Sequence, residues 1–180
     1  MKRFPEKQEI IKSFLVILTV INSWAVIVFL YNFPGLIKQI TISDLISVLA
    51  YVLLSALIES VIISLALLGL GFLLPAKFLR TDYAVRTLLL LILSVIYIIP
   101  FHIYIPRLST LMFEAVVSIF IAMWSVLLIV ELVLFHKIIP RYPKFKAGAV
   151  KIIDRITVLG AIYFFLDLSS LIYVTITNWS

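Results

Sequence analysis

The sequence predicts an all-α polytopic membrane protein: a bundle of five transmembrane helices, N-terminus cytoplasmic and C-terminus external. Three observations carry that prediction. Of 180 residues, 64% are hydrophobic, where soluble domains sit near about 45–50%. Charged residues make up only 13%, about half the usual share. Lys and Arg fall almost entirely on alternate connections between the apolar runs, which is how membrane proteins fix their orientation. A soluble core built from a chain of this length could not hide so much apolar surface. The excess faces lipid or other membrane helices, and a mean hydropathy of +1.23 agrees.

A membrane-crossing helix needs about 20 mostly apolar residues, and five stretches meet that need. The first, residues 13–31, reads SFLVILTVINSWAVIVFLY and is closed by NFPG at 32–35. Its apolar length exceeds a signal peptide's core and no small-x-small cleavage site follows, so it is expected to be retained. The second covers about 45–70 and is punctuated by Gly69, Gly71 and Pro75, residues common at helix C-termini. The third covers about 84–105, with Pro100 near its end, where neighbouring helices can satisfy the freed carbonyl. IPRLST at 105–110 turns it into the fourth, about 111–135. PRYP at 140–143 follows, and the fifth span covers about 156–176. With no repeat or long polar segment, residues 1–180 read as one integral membrane domain.

Orientation follows from the basic residues. The N-terminal segment holds Lys2, Arg3, Lys7 and Lys12. The connection between spans two and three holds Lys77, Arg80 and Arg86, and that between four and five holds Lys137, Arg141, Lys144, Lys146, Lys151 and Arg155. Only Lys38 and Arg107 fall on the opposite side. The positive-inside rule then puts the N-terminus in the cytoplasm, and an odd span number puts the C-terminus outside. A prokaryotic cytoplasmic membrane is the expected location. The nine basic residues of the two internal loops are candidate contacts for anionic lipid headgroups, although cytoplasmic loops carry such charge by default. No nucleic-acid-binding motif accompanies them.

Polar residues at membrane depth are the candidate functional positions. At about 1.5 Å rise per residue, Asp167 lies near the midplane of the fifth span, Glu59 near the middle of the second and Asn22 near the middle of the first. Small and hydroxyl residues, which helix contacts in membranes favour, recur beside them. On the fifth span, Gly160, Tyr163, Asp167, Ser170, Val174 and Thr177 share a face. On the second, Ser55, Glu59, Ala66 and Gly69 do so. Span one offers Thr19, Asn22 and Ser23, and span four Glu114, Ser118, Ala122 and Ser125. These faces are expected to point toward one another. The candidate midplane site is therefore Asn22, Ser55, Glu59, Tyr163, Asp167 and Ser170.

No Lys or Arg lies at the depth of Glu59 and Asp167, and a bare carboxylate there is costly. Each acid is protonated and hydrogen-bonded, or the two share a proton, or a cation completes the site. The functional readings are a hydrogen bond joining helices, a proton, cation or substrate path, or contact with a partner. Glu131 reads as interfacial, within reach of His136 or Lys137, and Glu114 as a partner for Arg107. His102 reads as a headgroup-level anchor. His102 and His136 fall on opposite sides and share no metal, so neither metal nor cofactor is expected. With no Cys, thiolate chemistry and Cys-ligated metals are excluded. No Walker loop, G-x-S-x-G, H-E-x-x-H or dinucleotide fingerprint is present. The expectation is a non-enzymatic membrane module that assembles with a membrane partner or with itself. The alternative is a small transporter or channel subunit with a midplane polar site.

Overall fold

The structure, a computed structural model, describes residues 5–74, 82–104 and 110–179, with the side chains of 99–104, 110–115 and 132 left aside. Five helices follow in order: α1 (Lys7–Leu36), α2 (Ile42–Leu73), α3 (Tyr83–Tyr104), α4 (Thr110–Arg141) and α5 (Pro143–Trp179). No strand occurs among the described residues. Four of the helices, α1, α2, α4 and α5, are long and apolar enough to cross a membrane. The described apolar part of α3 is shorter, Tyr83–Ile98.

Two proline boundaries differ from the sequence reading. NFPG does not end the first helix: α1 runs through Pro34 to Leu36. A proline removes one backbone donor and crowds the carbonyl four residues back, here that of Leu30, and the helix ends only two residues further on. PRYP does not open a loop either. α4 passes Pro140 to end at Arg141, and only Tyr142 separates it from α5. Pro143 is the first residue of α5, a position where its fixed φ suits a helix start and its missing N–H costs nothing. The basic segment 143–155 is thus helical, and it buries Ala149 and Ile153.

The turn between α1 and α2 closes with a capping box. The Thr41 hydroxyl accepts from the Asp44 N–H at 3.3 Å and the Asp44 carboxylate accepts from the Thr41 N–H at 3.2 Å, so two otherwise unpaired donors of the helix start are satisfied. α1 and α5 run parallel. Lys12 pairs with Asp154 at one end of their contact, and Asn22 donates to Asp167 further along. Gly160 permits the closest approach. A Cβ there would lie 2.8 Å from the Thr19 hydroxyl and against the Leu15 carbonyl.

One end of the bundle is tied by polar contacts. The Glu9 carboxylate accepts from the Ala84 N–H at 2.9 Å, satisfying a donor in the first turn of α3. Lys146 pairs with Asp82 at 2.7 Å. Asp82 has φ +55°, a conformation that Asp tolerates better than most residues. The starts of α1, α3 and α5 are therefore held together. There the apolar core combines Val16 and Ile17 of α1, Tyr83, Ala84, Val85, Leu88, Leu90 and Leu91 of α3, Phe135 and Ile139 of α4, and Ala149 and Ile153 of α5.

Candidate functional site

Asn22 and Asp167 are both fully buried. The Asn22 Nδ2 donates to Asp167 Oδ2 at 3.1 Å and to the Leu18 carbonyl at 3.1 Å. The two remaining oxygens, Asn22 Oδ1 and Asp167 Oδ1, are buried without a hydrogen-bond partner. Around this pair the α1–α5 seam continues in hydroxyl contacts. Thr19 Oγ1 lies 2.8 Å from the Leu15 carbonyl and 3.2 Å from that of Ile156, with one proton to serve both. Ser23 donates to the Tyr163 hydroxyl at 3.4 Å. Ser170 is buried and returns its hydroxyl to its own helix at Leu166. The buried residues of the membrane part of α5 are Gly160, Asp167, Ser170 and Val174, four of the six on the face that the helical period predicts; Tyr163 is half-buried and Thr177 exposed.

Glu59 and Ser55 stand elsewhere. Both are exposed on α2, with Ser55 donating to Glu59 Oε1 at 3.4 Å. Ala66 and Gly69 of the same expected face are exposed too. The face of α2 turned inward carries Ala50, Leu53, Ala56 and Ser60 instead. α2 has two neighbouring stripes rich in small residues, and the one without a carboxylate packs, since burying an unpaired acid is the costlier arrangement. Glu59 borders a groove of about 400 Å³ between α1 and α2. Trp24, Val28, Phe29 and Val52 wall the groove, and Asn32 lies farther along it.

The basic candidates divide three ways. Lys137, Arg141, Lys144, Lys151 and Arg155 are exposed. Arg141 and Lys144 help line a cavity of about 610 Å³ at the α4–α5 elbow, with Ile138, Tyr142, Pro143 and Phe145. Lys146 is half-buried and paired with Asp82. Arg86 departs from the loop reading, for it lies in the first turn of α3 and is 2% exposed. That turn enters the bundle with every side chain from Tyr83 to Leu88 covered. Lys77 and Arg80 lie outside the described residues, as does Arg107. The Glu114 and His102 readings fall on side chains that are not described.

Glu131, read as interfacial by its depth, is buried among its neighbours, with Oε2 lacking a hydrogen-bond partner. The signal was present in the sequence: Glu131, Phe135 and Ile139, the buried residues of α4 among the described side chains, follow at four-residue spacing and so share a face. The rest of α4 is largely uncovered. Ser118, Ala122 and Ser125 are exposed beside Ile119, Ile121, Met123, Val126 and Ile129. α4 touches α3 through a Tyr97–Phe120 ring stack at 4.5 Å and a Trp124–Ser94 hydrogen bond at 3.4 Å.

No protein-family model matches the chain, and no curated protein and no solved structure matches it.

Proposed function

We propose that the chain is a five-span, non-enzymatic module of a cell membrane, N-terminus inside, that assembles with a membrane partner through α4. One observation carries the assembly reading. α4 is as apolar as α1, yet only 6% of its apolar window is buried, and the uncovered surface includes Ser118, Ala122 and Ser125. Lipid does not call for small and hydroxyl side chains, whereas helix–helix contact does. The test is recovery of a complex in mild detergent. Ser118→Leu combined with Ser125→Leu removes the complex while leaving the chain's own unfolding unchanged. A monomer in every mild detergent, wild type included, overturns the reading.

Orientation is supported by the common end shared by the starts of α1, α3 and α5, which gathers Lys7, Lys12, Lys144, Lys146 and Lys151. The elbow cavity with Arg141 and Lys144 suits anionic headgroups at that surface. Because the chain lacks Cys, single cysteines report topology cleanly. Lys38→Cys labels with an impermeant thiol reagent in intact cells, and Lys144→Cys labels only after permeabilisation. The reverse pattern removes the orientation.

Asp167 serves in this reading as a clasp between α1 and α5. A proton on its carboxyl supplies the one donor that the two unpartnered oxygens lack, and leaves no charge in the bundle. A second reading, a transport subunit, is favoured by the groove beside Glu59. It requires that Glu59→Gln abolish a proton- or cation-dependent flux into proteoliposomes. Unchanged flux in Glu59→Gln and in Asp167→Asn eliminates it.

A further inference from the structure

The groove between α1 and α2 combines features that the assembly reading does not use. At about 400 Å³ it falls within the size range of small-molecule sites, about 300–1,000 Å³. Its walls are apolar and aromatic: Trp24, Val28, Phe29 and Val52. From Val48 to Glu59 it follows α2 for about 16 Å. Glu59 is the one ionisable residue among its lining, and that lining contains no base. The carboxylate's hydrogen bond is the long one from Ser55, 3.4 Å. An acid at this depth calls for a donor or a cation, and the chain has no Lys or Arg along α1 or α2 at its level. The other spans carry no Lys or Arg near their middle either, so a second copy of the chain would bring no base to it.

We propose that this groove binds a lipophilic amine, its ammonium on Glu59 and its apolar body along Trp24, Phe29 and Val52. The charge is complementary, and an ammonium can donate to the carboxylate while Ser55 stays in place. The site rests on α1 and α2 alone, so it stands or falls independently of the α4 interface.

The test uses the full chain in zwitterionic nanodiscs, with Trp124→Phe and Trp179→Phe leaving Trp24 as the reporter among the three tryptophans. Dodecylamine is titrated against dodecanol, a neutral probe of the same chain length. The expected result is a saturable change in Trp24 emission with dodecylamine that is about tenfold or more weaker with dodecanol and in Glu59→Gln, as loss of a charge-assisted hydrogen bond implies. Ala25→Leu, which fills the groove and keeps the acid, weakens both probes. Equal responses to amine and alcohol, or an unchanged Glu59→Gln, overturn the proposal. So does a linear response without saturation, which is bulk partitioning, or a response that appears only at two chains per disc, which assigns the groove to a second copy.

Discussion

α1 and α4 are near equals in composition and opposites in packing. Their apolar windows have mean hydropathies of 2.4 and 2.6, yet 39% of the first is buried and only 6% of the second. Hydropathy sets how readily a helix enters a bilayer. It does not set which helices meet, because lipid tails are as apolar as leucine. What separates the two helices is the chemistry opposite them. α1 meets a glycine at its closest approach, an acid opposite its asparagine and a tyrosine opposite its serine, all on α5. α4 has hydroxyls of its own, but Ser125 bonds only back to Ile121 of the same helix.

The largest expected effect on this contrast comes from Gly160. Gly160→Leu drives a side chain into the Leu15 carbonyl and costs about 1–3 kcal/mol or more, as overpacking does. Equilibrium unfolding in mixed micelles measures it. Ala122→Leu, the same increase in bulk on α4, shifts that unfolding by less than about 0.5 kcal/mol, as surface changes do. Equal losses would erase the distinction between the two helices.

Next comes the Asn22–Asp167 pair. A double-mutant cycle with Asn22→Ala and Asp167→Ala is expected to give a coupling of about 0.6–2 kcal/mol. Asp167→Asn should fall well below Asp167→Ala, since an amide keeps an acceptor and adds a donor. An Asp167→Asn chain as unstable as Asp167→Ala would show that the carboxylate's charge, not its hydrogen bonding, matters there.

The smallest effect is expected at Lys12–Asp154. The pair is short, 2.7 Å, but its side chains are 38% and 53% exposed. Solvent screening leaves such pairs about 0–1 kcal/mol at most, and added salt should reduce even that. Lys12→Ala measured at low and high ionic strength checks it. A large, salt-insensitive loss would mean that the end of the α1–α5 seam is as important as its middle.

These contrasts also mark what the sequence could reveal. The buried face of α5 was legible, because Gly160, Asp167 and Ser170 are exceptions in an apolar background and recur, with Val174, at helical spacing. The common depth of Asn22 and Asp167 was legible, but Glu59 shares that depth, and depth alone did not say which of the three meet. The outward turn of Glu59 was not, since Ser55–Glu59 and Ala56–Ser60 are neighbouring stripes and only tertiary packing chooses between them. Helix ends at prolines were misleading for a local reason. A proline stops a helix by removing a donor and clashing one turn back, and Pro34 and Pro140 sit where the helix is about to end anyway. Arg86 was unreadable for a different reason. Its charge suggested a loop, while its neighbours Tyr83, Ala84, Val85 and Leu88 carry it into the interior.

The clasp between α1 and α5 has a consequence in time. Asn22 and Asp167 are separated by 145 positions, so α1 is held by a helix made much later. At synthesis rates of about 5–20 residues per second, Asn22 waits about 7–30 s in the membrane before its acid is made. Throughout that interval the Asn22 amide has the Leu18 carbonyl of its own helix but not its acid, and an insertion factor or a neighbouring nascent helix can hold the surface left open. Completion of α5 would release it.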